Sequence, residues 1–318
     1  MGKNGTGGAH EMRPRRPLRS IFLGNTRYMS AYALGVGQAM SILGHWHRVV
    51  SIFDDADSVA RQVAEMAPDV IWTHMTLWPP PRAVDASALT DILASWKRKG
   101  TAVYLHDGDP KPARQVPIDV GSSYSIALVN RSVLGDGGWP IPSIRWPYAA
   151  MVQREIGAPL PEWDCDLLFA GHLRGDSFYG PRTALVLELQ RLYGERMRLV
   201  SPGGGDTNNR MLVADVAPSA GAILGFGRPE VEGWIDTRVF QYPGAGGVLI
   251  HDDAGEFLTP DVHYLRVPRG DIDAIGAAVE RAKAEGPAMR ERAFAHVQAG
   301  HTWVQRVETA LTAFYGVN

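Results

Sequence analysis

Cysteine is nearly absent. Cys165 stands alone in 318 residues, so neither an internal disulfide nor a cysteine-based zinc cluster can form. That scarcity suits a reducing cytoplasm. No run of about 18 apolar residues occurs, and no membrane span is expected. Net charge is −2, from 32 Lys and Arg against 34 Asp and Glu, so nothing pulls the whole chain toward nucleic acid. No repeat of solenoid length is visible. The dinucleotide fingerprint is missing too: Gly24-Asn25-Thr26-Arg27-Tyr28 follows the first strand where Gly-x-Gly-x-x-Gly is needed, and Gly35-Val36-Gly37 comes too late to cradle a pyrophosphate. No nucleophile-elbow serine supports a hydrolase triad. His45 and His47 have no carboxylate at a ligand spacing, so a metal site is not expected there. The N-terminus is basic and Gly-rich without an apolar segment, and reads as a tail rather than a secretory signal.

What is present is ordinary globular material, 45% hydrophobic, enough for two cores. Residues 1–18 read as a disordered tail, with Arg13-Pro14-Arg15-Arg16 as a solvated charge cluster. Strands are then predicted at Ser20–Gly24, His47–Phe53 and Asp69–His74. Helices lie between them at about Ser30–Leu43 and Asp57–Ala67, the second with Val59, Val63 and Met66 on one face. This βαβαβ run is the pattern of a doubly wound parallel sheet. A helix over Asp85–Lys99, a fourth strand Ala102–Leu105, a fifth at Ser125–Val129 and a sixth at Ser143–Tyr148 continue it. An N-terminal Rossmann-like domain is expected over 19–150.

The second half repeats the plan. Asp166–Ala170 is a strand, followed by Gly171-His172-Leu173-Arg174. Pro181 opens a helix that buries some combination of Leu185, Leu187, Leu189 and Leu192. Arg198–Ser201 and Ala222–Gly225 are strands, and residues 208–216 suggest a short helix. The organising stretch is Thr237 to Asp253. It reads as a short helix, a turn built from Pro243 and three glycines, and the buried strand Val248-Leu249-Ile250. Asp271 caps a helix with Ile272, Ile275, Val279 and Ala282 on its apolar face, and another helix is expected over about 287–299. Thr302 and Gln305 form a capping box for the last helix, whose face is Val304, Val307, Leu311 and Phe314.

Arg238-Val239-Phe240-Gln241, the turn Gly244-Ala245-Gly246-Gly247, the strand after it and His301-Thr302-Trp303 resemble the nucleotide-sugar half of GT-B glycosyltransferases, most closely the CgeB-like (glycosyltransferase group 1) branch. The match covers about the last third of the chain. The resemblance implies two Rossmann-like domains facing a cleft, with an acceptor domain over 19–150 and a nucleotide-sugar domain over 151–302. A helix over 303–318 packs back on the first domain. It implies transfer of a sugar from a nucleoside-diphosphate donor with no bound metal or other cofactor. The family's ribose-binding glutamate is Gln241 here, an amide without charge assistance.

Glycosyl transfer needs a neutralised diphosphate, a held nucleoside and a base near the anomeric carbon. Arg174, Arg228, Arg238 and the amides of Gly244, Ala245, Gly246 and Gly247 are the diphosphate candidates, with Gly171 and His172 beside them and Gln241 for the ribose. From the first domain, His74, His106, Asp107 and Asp109 end strands at the presumed cleft and are the candidate bases. An aromatic-x-x-Asp pattern of the family fits either Tyr104 to Asp107 or His106 to Asp109. Trp72, Trp78 and Trp146 read as core or as stacking platforms for a sugar or base. The expected partners are a nucleotide sugar and an acceptor that is a glycan, a small molecule or a nucleic acid. Two other readings stay open: a catalytically silent GT-B protein that binds nucleotide or glycan, and a DNA-base glycosyltransferase.

Overall fold

The computed structural model describes residues 16–24, 30–74, 85–107, 119–130, 139–171, 173, 180–200, 215–227 and 235–316. Strands β1 (Arg19–Gly24), β2 (Trp46–Ser51), β3 (Val70–His74), β4 (Ala102–Asp107), β5 (Ile126–Val129) and β6 (Ser143–Arg145) form one parallel sheet in the order β2-β1-β3-β4-β5-β6. Strands β7 (Cys165–Ala170), β8 (Met197–Val200), β9 (Ala220–Leu224), β10 (Leu249–His251) and β11 (Leu265–Arg266) form a second parallel sheet in the order β11-β10-β9-β7-β8. Counted within its own half, each sheet begins with the order 2-1-3. Each therefore reverses direction once, at β1/β3 and at β7/β9, and opens a crevice at the carboxyl ends of those strands. Two Rossmann-like sheets are thus present, as the sequence pattern predicted.

The central strands read as apolar runs because both faces are covered. In β1, Ile21 and Leu23 face one cluster with Val50, Val59, Val63, Leu93 and Val103, while Phe22 faces another with Tyr32, Trp72, Tyr104 and Trp146. Helices α1 (Ser30–Ile42), α2 (Ala56–Met66) and α3 (Ala86–Arg98) supply the layers, and α4 (Val120–Ser123) is one short turn. Asp55 caps α2, its side chain accepting the Ser58 N–H, and Val59 and Val63 bury as their spacing predicted. Trp72 and Trp146 are core residues. Their rings lie 6.2 Å apart and nearly parallel, and Trp72 stacks on Tyr104 at 4.6 Å.

In the second half, α5 (Gly180–Tyr193) buries Val186 and Leu189, while Leu187 and Leu192 point outward. The leucine spacing alone did not separate these. Helix α6 (Arg238–Gly244) runs through Pro243 rather than stopping before it. The missing proline N–H costs one bond in the last turn, where the ladder is ending anyway. The two helices expected after Asp271 are one, α7 (Ile272–Gly300), continuous through Pro287. Buried residues on both flanks of the proline, Ile275 to Ala282 before it and Met289 to Val297 after it, hold the segments in line. Tertiary packing overrides the local breaker.

Helix α8 (Trp303–Tyr315) leaves α7 through Thr302, whose N–H donates to Gln305 Oε1 at 2.8 Å. It returns to the first sheet. Tyr104 donates its hydroxyl to Ala310 O at 2.6 Å, and Trp146 Nε1 donates to Arg306 O at 2.6 Å. The outgoing and returning chain segments pair with each other: Ala150 N donates to His301 O and Trp303 N to Ala150 O, both at 3.0 Å. Among the described residues no helix is long and apolar enough to cross a membrane.

Candidate functional site

The second crevice opens at the carboxyl ends of β7 and β9. Arg238 fills its floor, because the loop from β9 returns there to start α6. Asp236 precedes the helix and accepts the Arg238 N–H on Oδ1 at 2.8 Å. Its other oxygen takes Arg238 Nη1 at 2.7 Å. Nε and Nη2 of the same guanidinium donate to Ala170 O, the last residue of β7, at 3.1 and 2.9 Å. Asp236 is 5% and Arg238 20% exposed in their side chains. Burial works against the Arg238 charge, but the Asp236 carboxylate and Tyr242 outweigh it and hold the guanidinium above its ordinary pKa. The ion pair thus ties α6 to β7. Gly171 leaves room for it: a Cβ there would stand 2.9 Å from Arg238 Nη2 and 3.0 Å from the Phe169 ring.

Next along the sheet, His251 ends β10, fully buried. Its Nδ1 accepts the Asp253 N–H at 3.0 Å, which places the ring proton on Nε2. Nε2 has no acceptor among the described residues. Burial lowers the pKa and keeps the ring neutral, although Asp252 and Asp236 pull the other way. Asp252 holds the next loop, accepting Gly227 N and Arg269 Nε, both at 2.7 Å.

The first sheet presents its carboxyl edge to the same region through β4 and β5. Asn130, directly after β5, is fully buried. Its N–H donates to Asp107 O at 3.2 Å, and its Nδ2 donates across the two halves to Ile235 O at 2.9 Å. Asp107 ends β4, half-buried, with Oδ2 accepting the Trp139 indole N–H at 3.1 Å. A line of contacts therefore runs from Asp107 through Asn130 to Ile235, Asp236 and Arg238. The exposed rim carries an ion pair between Arg145 and Glu256.

Several residues singled out from the sequence are placed elsewhere. His106 and Asp107 alternate along β4 and so point to opposite faces. His106 lies fully buried, its ring stacked on Tyr32 at 4.5 Å and edge-on to Trp146 and Tyr148. That is a core position, away from the Asp107 carboxylate. The turn Gly244-Ala245-Gly246-Gly247 precedes β10 and lies at the amino edge of the sheet, opposite the crevice. Its amides are already used: Ala245 N and Gly247 N donate to Tyr242 O and Gly246 N to Pro243 O. Gly246 has φ +82° and a Cβ there would meet Ile156 at 2.4 Å, so the glycine serves a tight turn against the segment joining the halves. Gln241 lies in α6, one turn beyond Arg238, half-buried. Asp109, His172, Arg174, Arg228 and Trp78 lie outside the described residues, as do most of residues 208–216 and the side chain of His74. Asp236, Asn130 and His251 were not singled out from sequence as site residues. Asp236 two residues before Arg238 was a readable signal; Asn130 had none, because its partner lies 105 residues away. Among the described residues no group of three His, Cys, Asp or Glu is arranged to hold a metal ion.

Residues 182–312 match a family model described as glycosyl transferase-like. No curated protein matches the chain in sequence. Among solved structures, that of Anabaena Alr3699/HepE in complex with UDP-glucose is similar with a TM-score of 0.56 at 10% identity, over 94% of this chain and 100% of that one. An α1,3-fucosyltransferase has a TM-score of 0.49 at 10% identity, over 96% of this chain and 91% of that one. A Listeria monocytogenes protein described as a UDP-N-acetylglucosamine 2-epimerase has 0.49 at 10%, over 95% and 98%. At such identities the likeness concerns the fold. The chain thus has a GT-B architecture, and residues 182–312 are similar to a glycosyltransferase-like domain.

Proposed function

We propose that the chain is a glycosyltransferase of the CgeB-like branch, moving a sugar from a nucleoside-diphosphate donor to an acceptor hydroxyl without a bound metal, in the cytoplasm. The observation that carries this reading is a coincidence: the glycosyltransferase-like segment 182–312 contains the Asp236–Arg238 pair that builds the β7–β9 crevice, where a doubly wound sheet takes its ligands. The domains follow the division 19–150 for the acceptor, 151–302 for the donor and 303–318 for the returning helix.

Arg238 organises the donor crevice, since its charge is matched by Asp236. The net positive charge that a leaving diphosphate needs then falls to His172, Arg174 and Arg228, with Gly171 close by and Gln241 toward the ribose. The acceptor oxygen attacks the anomeric carbon as the bond from that carbon to the diphosphate oxygen breaks, and the diphosphate departs with the electron pair. In an inverting transfer the acceptor proton passes to a carboxylate of the first half. Asp107 is assigned that role, ahead of Asp109 and His74, because it ends β4 beside Asn130. Closure of the halves excludes water.

A second reading, a catalytically silent nucleotide binder, draws on two observations: Gln241 stands where the family has Glu, and the Arg238 charge is spent on Asp236. A thermal-shift panel of UDP, GDP, ADP, CMP, dTDP and their sugars tests both. Ligand at about 100 times its Kd adds roughly 2.7 kcal/mol, or about 4 °C for a chain of this size. A selective shift together with donor hydrolysis or transfer supports the enzyme. A shift without turnover supports the binder, and no shift with any of them refutes both.

A further inference from the structure

Asn130 is the residue through which the first half reaches into the site, and half of its amide is unused. The orientation of the amide is fixed. Nδ2 faces Ile235 O at 2.9 Å, and a flipped amide would set two carbonyl oxygens against each other. Oδ1 therefore points away from Ile235. It is buried and receives no hydrogen bond from any described residue. A buried, orphaned acceptor is costly, and native proteins keep few of them. This one stands at the carboxyl edge of the first sheet, bonded through its own N–H to Asp107 and through Nδ2 to the segment that leads into Asp236 and Arg238.

From this geometry we infer that Asn130 is a ligand-contact residue: its Oδ1 accepts a hydrogen bond from a hydroxyl of the donor sugar while Nδ2 holds the halves together at Ile235. The inference rests on the nucleotide-sugar reading above and names the group that would read the sugar rather than the nucleotide. An acceptor-only atom suits a hydroxyl and offers nothing to a phosphate, which has no proton to donate at neutral pH.

The test is isothermal titration of the wild type and Asn130→Ala with one nucleoside diphosphate and its sugar conjugate, taken from the pair that shifts the melting curve most. Deoxy analogues of that sugar are titrated alongside. Melting curves of both unliganded proteins confirm that each is folded. The expected result is that Asn130→Ala binds the free diphosphate within about twofold of wild type but binds the sugar conjugate about tenfold more weakly. In wild type, removal of one particular sugar hydroxyl reproduces that loss, and in Asn130→Ala the same removal changes nothing further. If the variant fails to fold, the deoxy series on wild type decides alone: a flat series overturns the contact. Equal affinity of the two proteins for the conjugate also overturns it, while leaving the nucleotide-sugar reading intact. Absence of binding of every diphosphate and conjugate to wild type refutes that reading, and the contact with it.

Discussion

Replacing Arg238 by alanine should cost about 3–5 kcal/mol of stability, because it takes the guanidinium away from a buried carboxylate and from the end of β7. Asp236 is 5% exposed and would lose its 2.7 Å ion pair with the guanidinium. Ala170 O, at the end of β7, would lose two donors at 3.1 and 2.9 Å. Arg238→Lys keeps the charge but cannot fork between Asp236 and Ala170, so a smaller loss of about 1–2 kcal/mol is expected. Asp236→Ala should resemble Arg238→Ala, and the double variant should recover about 1–3 kcal/mol of the summed loss. Urea denaturation followed by tryptophan fluorescence measures all four, and melting curves should show a drop of roughly 4–8 °C for the alanine variants. A stability of Arg238→Ala within about 1 kcal/mol of wild type, or strict additivity in the double variant, would refute the claim that the pair builds the crevice. In that event the arginine would be free for a ligand, and loss of nucleotide binding in a stable Arg238→Ala protein would identify it as a direct contact.

Other consequences are simpler to state. Gly246→Ala forces a Cβ to 2.4 Å from Ile156 at φ +82°, so a loss of about 2–3 kcal/mol is expected in the same denaturation assay. Tyr104→Phe removes the buried donor to Ala310 O and should cost about 1–2 kcal/mol, with α8 fraying visible as faster hydrogen exchange at its C-terminal end. Burial lowers the His47 pKa to about 4 from an ordinary 6.5, so the unfolded chain binds the proton first as pH falls. Stability from this group is full above about pH 6.5 and is lost toward pH 4, amounting to about 2 kcal/mol at pH 5. His47→Gln should flatten that part of the stability–pH curve, and an unchanged slope would show that His47 titrates normally.

Much of the fold was legible because it is written in local periods. The βαβ alternation, the Asp271 and Thr302 caps and the apolar runs of β1, β3, β4 and β10 depend on neighbours within a turn or two. The failures were also local in form. Pro287 reads as a break, yet the flanking residues of α7 are buried along the same core, and packing outweighs one lost hydrogen bond. In α5, four leucines were in competition for the core, and only Leu189 of them is fully buried.

The site was less legible, for a geometric reason. Sequence identified Arg238 as a residue of consequence, because the motif around it is contiguous. It could not show that Asp236 and Ala170 consume the guanidinium, that His106 faces Tyr32 and Trp146 rather than the cleft, or that the glycine turn lies at the amino edge of its sheet. Those facts follow from strand order and from which face each residue takes, and both are set by pairing between segments far apart in the chain. The sequence by itself determined the elements, the two-sheet α/β class and the position of the organising motif, since each is encoded over a few residues. Only the tertiary structure decided that β4 and β5 meet the Ile235–Arg238 segment, since the Asn130–Ile235 bond joins residues that no local pattern relates.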